Sequence, residues 1–158
     1  MTSISPYIQL TKPSIVLLVV ITALSALAAQ GLLFESPIQS LLIVAAIGLA
    51  AGSANAFNQF LDRDIDSVMA RTKKKRPLPL GQIQPWGAFV FASFLGGIST
   101  LYLWMQWSAL AAVISASTIA FYSVVYTLFL KRRHHYNIVI GGAAGAAGPL
   151  IAWAAVEG

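Results

Sequence analysis

The sequence predicts an all-α, polytopic membrane bundle of about five transmembrane helices, and three observations carry that prediction. Apolar residues fill 58% of the 158 positions and charged residues only 9%, against about 25% charged in soluble domains. Mean hydropathy is +0.76. The apolar residues fall in long runs parted by short polar breaks, and about 20 of them make one helical crossing. A single membrane domain over residues 1–158 follows, with the lipid bilayer as its solvent and no nucleic-acid partner. The absence of cysteine excludes disulfides, thiolate catalysis, Cys-ligated zinc and haem attachment through paired cysteines.

The first span is expected at about 14–34. It lacks an A-x-A cleavage site followed by a polar mature domain, so it reads as a retained helix rather than a signal peptide. Glu35-Ser36-Pro37 breaks the pattern and a second span runs over 38–61. The polar stretch 62–85 follows. Residues 87–130 are almost continuously apolar, about 66 Å as helix, which is two spans, 87–105 and 108–130, joined at Gln106-Trp107-Ser108. Trp104 and Trp107 bracket that turn as interfacial aromatics do. A polar break at 131–136 precedes the last span, 137–156.

Alternating spans make a test, because Lys and Arg collect in cytoplasmic loops. Lys12 precedes the first span, Arg63, Arg71, Lys73, Lys74, Lys75 and Arg76 follow the second, and Lys131, Arg132 and Arg133 follow the fourth. All ten basic residues therefore fall on one side. This expects a multi-pass protein of the cell membrane with its N-terminus and basic loops in the cytoplasm. Small residues crowd AAIGLAAGSANA (45–56) and GGAAGAAGPLIAWAA (141–155). They suit close helix packing, as through Gly141-x-x-x-Gly145, or the wall of a cavity for a bulky apolar ligand.

Three of the five acidic residues lie in NAFNQFLDRDID, residues 55–66. At about 100° per residue, Asn58, Asp62 and Asp66 advance by roughly 40° each and share a helix face with Asn55, while Asp64 lies roughly 200° from Asp62. Two carboxylates one turn apart, with a carboxamide oxygen a turn earlier, are the hard ligands Mg²⁺ takes together with substrate phosphate. The cations of 71–76 would hold such an anion and offset charge on a departing diphosphate. Against this stands an ordinary cytoplasmic loop whose basic residues face anionic lipid. Ionisable residues entering a span are costly and usually functional, which favours the site for Asp62 and Asp66. Asp64 is expected to pair with Arg63 or the basic loop.

The pattern N-x-x-x-D-x-x-x-D followed by R-T…R-P-L (Asn58, Asp62, Asp66, Arg71, Thr72, Arg76, Pro77, Leu78) resembles the UbiA-type intramembrane prenyltransferases. YIQLTKPSIVLLVV (7–20) and YTLFLKRRHHYNIVIGGAAGAAGPLIAWAA (126–155) are similar to the subgroup that farnesylates protohaem IX, rather than to the quinone-pathway members. The resemblance implies a nine-helix fold with a central cavity and transfer of a farnesyl group from farnesyl diphosphate to a vinyl group of haem B, giving haem O. It implies Mg²⁺ as cofactor, Asn58, Asp62 and Asp66 as catalytic and metal-binding residues, and Arg71, Lys73 and Arg76 on the diphosphate. Lys131, Arg132 and Asn137 would stand at the mouth for the second substrate. Phe57, Tyr122, Tyr126 and Trp153 could shield an allylic cation through their ring faces, although packing alone explains each of them.

The chain departs from that family in three ways. Three residues separate Thr72 from Arg76 where two are expected, Ser14 stands where Arg is common, and the length is about half. Glu157 is the only acid after Asp66, so the family's second aspartate motif is absent. The expectation is therefore the N-terminal half of such an enzyme, completed by a C-terminal half or by self-association. A quinone-pathway prenyltransferase with an aromatic acceptor is one alternative. A non-catalytic membrane subunit that binds diphosphate or a divalent cation is another. His134 and His135 point about 100° apart on a regular helix, so both cannot serve one iron, and an interfacial role suits them better.

Overall fold

The computed structural model describes residues 5–133 and 136–158, and His134 and His135 lie outside the described residues. Every regular element among the described residues is helical. Two Pro-initiated helices, α1 (Pro6–Thr11) and α2 (Pro13–Ala29), meet at Lys12, and α3 (Leu32–Glu35) is a single turn. Pro37 then starts α4 (Pro37–Leu61), followed by the short α5 (Arg63–Val68) and α6 (Ala70–Lys73). Helix α7 is Pro85–Gln106, α8 is Ala109–Arg133 and α9 is Asn137–Glu157. Proline suits the first helical turn because its missing N–H would be unpaired there in any case.

Four helices (α4, α7, α8 and α9) are long and apolar enough to cross a membrane. The first apolar run is shorter than expected. Helix α2 stops at Ala29 because Gly31 takes a left-handed φ of 85°, so its 17 residues reach only about 26 Å. Residues 32–34, expected in the same span, belong to α3. The turn between α7 and α8 falls at Trp107 and Ser108, and the Ser108 hydroxyl caps α8 by accepting from the Ala111 N–H at 3.0 Å.

Lipid gives helices little hydrophobic reason to associate, so close packing and interhelical hydrogen bonds carry the assembly. Ser53 Oγ donates to the Ala92 carbonyl and Ser99 Oγ to the Ala46 carbonyl, both at 2.7 Å. These two bonds pin the antiparallel register of α4 against α7 two turns apart. At the far end Ser108 Oγ donates to the Ala154 carbonyl at 2.6 Å, fastening α8 to α9. The largest core cluster, built on Leu27, Ile43, Ile47, Leu103 and Ile151, fills the same half of the bundle.

Glycines set the spacing. A Cβ on Gly148 would stand 2.9 Å from Val19 Cγ1, and one on Gly96 would stand 2.7 Å from Ser53 Oγ. At Gly97 an added Cβ would meet nothing within 4 Å. Gly96→Ala is expected to displace Ser53 from its bond to Ala92 and to destabilise the α4–α7 contact by about 1–3 kcal/mol. Gly97→Ala is expected to be neutral or slightly stabilising. Thermal unfolding of the two variants in detergent checks the difference.

Candidate functional site

The acidic stretch lies where α4 ends. Asp62 leaves helical geometry (φ −87°, ψ 2°), so Asn58 and Asp66 stand on two helices rather than one regular helix. The hydrogen-bond ladder continues through the break: Asp62 N–H donates to the Asn58 carbonyl at 3.0 Å and Asp66 N–H to the Asp62 carbonyl at 2.8 Å. The three side chains consequently stay on one side. Asn58, Asp62 and Asp66 are buried, whereas the Asp64 side chain is 60% exposed.

Each of the buried three is met by one cation from a different segment. Lys12 Nζ, from the α1–α2 junction, donates to Asn58 Oδ1 at 2.8 Å. Lys131, near the end of α8, is ion-paired with Asp62 Oδ2, and Arg76 is ion-paired with Asp66 Oδ2. Asn58 Nδ2 also donates to Asp62 Oδ2 at 3.0 Å and to Thr127 Oγ1 at 3.1 Å. The Thr72 hydroxyl donates to the Asp66 carbonyl at 3.0 Å, tying α6 to α5. Burial pushes the Lys12 ammonium down to about 8; Arg76 and Lys131 push the same way, opposed by Asp62 and Asp66.

The remaining carboxamides have another task. Asn55 Nδ2 donates to the Thr11 carbonyl at 3.0 Å, and Gln59 Nε2 donates to the carbonyls of Gln9 and Leu10 at 3.1 and 3.0 Å. They satisfy the open carbonyls at the end of α1 and so hold Lys12 above α4. Asn55, which shares the face in a regular helix, is thereby turned to a structural use.

The other expected residues divide. Arg71 and Lys73 are exposed on α6, and neither side chain makes a hydrogen bond or ion pair with the described residues. Arg132 pairs with Asp64 at 2.9 Å and donates to the Leu61 carbonyl at 2.9 Å, so Asp64 finds its partner on α8 rather than in Arg63. Lys131 joins the Asp62 cluster through its ion pair, and Asn137 opens α9. Phe57 meets Phe89 edge-on at 5.7 Å, Tyr122 stacks on Tyr126 at 5.0 Å, and Trp153 is exposed.

Sequence reasoning missed Lys12 as a site residue, and it missed Thr127. Residues Phe121–Leu130 of α8 form a π-helix, and Thr127 Oγ1 donates back to the Tyr122 carbonyl at 2.8 Å. Such wide turns are rare and concentrate at functional sites. The only sequence signal for Lys12 is its place before Pro13.

Beside the polar cluster lies an apolar cavity of about 210 Å³ between α2, α4, α8 and α9. Both small-residue runs line it, through Ala50, Ala54, Gly141 and Gly148 among others. Gly148 serves both ends, packing against Val19 and lining the cavity. Asn55 and Tyr122 border both the cavity and the cluster.

Among the described residues no group of three or more His, Cys, Asp or Glu side chains converges. The donors for a hard cation are two carboxylates and one carboxamide. Asp62 Oδ1 is buried without a hydrogen-bond partner, an oxygen left available to a ligand that is not a protein group.

A bundle with four helices long and apolar enough to cross a membrane, burying two carboxylates among cations next to an apolar cavity, defines a multi-pass membrane protein. The chain belongs to the UbiA prenyltransferase family, whose model matches residues 18–158. It is similar to proteins named protoheme IX farnesyltransferase from Gloeobacter violaceus (49% identical, 99% of this chain and 51% of the relative) and Synechococcus elongatus (49%, 96% and 48%). A relative of the same name from Symbiobacterium thermophilum is 49% identical over 96% of this chain and 50% of its own length. The chain thus spans about half the length of the curated relatives it matches. No solved structure matches it.

Removing Asp62 strands Lys131 in a partly buried site, whereas removing Asp64 releases an exposed pair. Asp62→Ala is expected to cost about 3 kcal/mol of stability and Asp64→Ala less than about 1 kcal/mol, read by thermal unfolding in detergent. The hydrogen bond from Arg132 holds the Asp64 carboxyl below its ordinary 3.8. Its small contribution is therefore complete above that value and disappears as pH falls through the depressed one.

Proposed function

We propose that this chain serves the transfer of a farnesyl group from farnesyl diphosphate to a vinyl group of protohaem IX (haem B), giving haem O for terminal oxidases. The observation that carries the proposal is the buried set Asn58, Asp62 and Asp66, each met by a cation and set beside an apolar cavity. The names of its relatives support the haem and farnesyl specificity. The basic segments gathered at one end of the bundle support a cell-membrane protein whose N-terminus and basic loops are cytoplasmic.

The residues fit a hard divalent cation, because Asp62 Oδ1 is unpaired and the other donors are oxygens. Asn58, Asp62 and Asp66 would hold Mg²⁺, which when bound supplies Lewis-acid neutralisation of the diphosphate. Lys131 and Arg76 would take negative charge on the leaving diphosphate as the carbon–oxygen bond breaks and its electron pair departs with that oxygen. The apolar cavity would keep water from the allylic cation until the vinyl carbon attacks. Water added afterwards gives the hydroxyl of the hydroxyethylfarnesyl side chain, releasing a proton. Tyr122, at the cavity border, would face the cation with its ring.

The test is incubation of the purified chain with farnesyl diphosphate, Mg²⁺ and either haem B or 4-hydroxybenzoate, with products read by mass spectrometry. Farnesylated haem is the expected product, and a prenylated benzoate overturns the haem assignment. In parallel, Mg²⁺-dependent diphosphate binding is expected to be lost in Asp62→Ala and Asp66→Ala and kept in Asp64→Ala. Loss in Asp64→Ala with retention in Asp62→Ala overturns the site.

A further inference from the structure

The three cations at the site stand on the oxygens a divalent ion would need. Lys12 occupies Asn58 Oδ1, Lys131 occupies Asp62 Oδ2 and Arg76 occupies Asp66 Oδ2. Three cations against two carboxylates leave one positive charge in excess. A divalent ion entering alone would add two more charges and would have to displace groups already bonded there. Among the described residues Asp62 Oδ1 is buried without a hydrogen-bond partner and so stands open to it. A diphosphate changes this balance, because its oxygens are stronger acceptors for ammonium and guanidinium groups than a carboxamide is.

We infer that Lys12 is a diphosphate-binding residue that couples metal binding to diphosphate binding, holding Asn58 Oδ1 until both ligands bind and leaving it for the diphosphate as the metal arrives. The inference rests on the proposed diphosphate site and extends it to a residue outside the aspartate motif. Lys12 is suited to the exchange in two ways. Its partner is a neutral carboxamide oxygen, whereas Lys131 and Arg76 are bound to carboxylates, so Lys12 is released most readily. Its base is fixed: the backbone is left-handed (φ 53°, ψ 72°), Pro13 follows, and Asn55 and Gln59 tie the preceding carbonyls to α4. Only the flexible stem has to move. Thermodynamic linkage then requires reciprocity, each of metal and diphosphate raising affinity for the other.

The test uses Mn²⁺ and inorganic pyrophosphate as probes on the detergent-solubilised chain, with free Mn²⁺ counted by paramagnetic resonance and pyrophosphate binding followed by calorimetry. The parent chain is expected to bind Mn²⁺ at least about tenfold more tightly when pyrophosphate is saturating. Lys12→Met is expected to bind Mn²⁺ alone about tenfold more tightly and pyrophosphate about tenfold more weakly. Lys12→Arg should stay near the parent in both. General damage to the fold weakens both probes together, so shifts of the same sign, or no shift in either, overturn the coupling. A parent chain that binds no pyrophosphate overturns the diphosphate reading itself, and this inference falls with it.

Discussion

The structure depends on the need to neutralise two carboxylates buried at the end of a membrane helix. An ionised group removed from water is destabilised by several kcal/mol, and removing one partner of such a pair leaves the other charge exposed to that penalty. Asp62 and Asp66 meet the requirement with Lys131 and Arg76, and Lys12 closes the third side through Asn58. The partners come from the end of α8, the turn after α6 and the α1–α2 junction. Charge balance at one point therefore fixes where three segments far apart in sequence must end. Arg132 and Asp64 add a fourth link between α8 and the end of α4, but an exposed one.

Away from that end the bundle is held by contact and by serine hydroxyls. The hydroxyls of Ser53, Ser99 and Ser108 each donate to a carbonyl on a neighbouring helix, and each such bond is worth roughly 0.6–2 kcal/mol in a membrane. Gly148 lets α9 reach Val19 on α2, yet the same residue lines the cavity. Close approach at one level and open space at another come from one run of small residues. A helix pair that touches at a glycine diverges where its next side chains are also too small to fill the gap.

The sequence carried the large features by period and charge. Apolar run length located the spans that became α4, α7, α8 and α9, and helical spacing separated exposed Asp64 from buried Asp62 and Asp66. What escaped it depends on backbone detail that no residue type announces. The break at Asp62 is a single residue with its ladder intact, so periodicity passes straight through it. Gly31, with its left-handed φ, stops α2 inside an apolar run whose length alone predicts a longer span. The π-helix of Phe121–Leu130 is written in aromatic and β-branched residues equally at home in an α-helix. Lys12 belongs to the site because of a left-handed backbone and two carboxamides on α4, a tertiary arrangement visible only once α1 lies across α4.

The border between cluster and cavity gives the proposed chemistry its place. Asn55 and Asp62 are seven residues apart, about 10 Å along a helix, and the cavity begins at Asn55 where the charged groups end. An anionic head held by Asp62, Asp66 and their cations would therefore leave an attached apolar chain pointing into the space between α2, α4, α8 and α9. In the proposed reaction the bond joining head to tail would fall between these regions, near Tyr122. Charge leaving with the head would move toward fixed cations, and charge left on the tail would remain among apolar side chains and an aromatic ring. Separating those charges is the difficult step of diphosphate ionisation, and an environment already divided in the same sense lowers its barrier without rearranging at the moment of reaction.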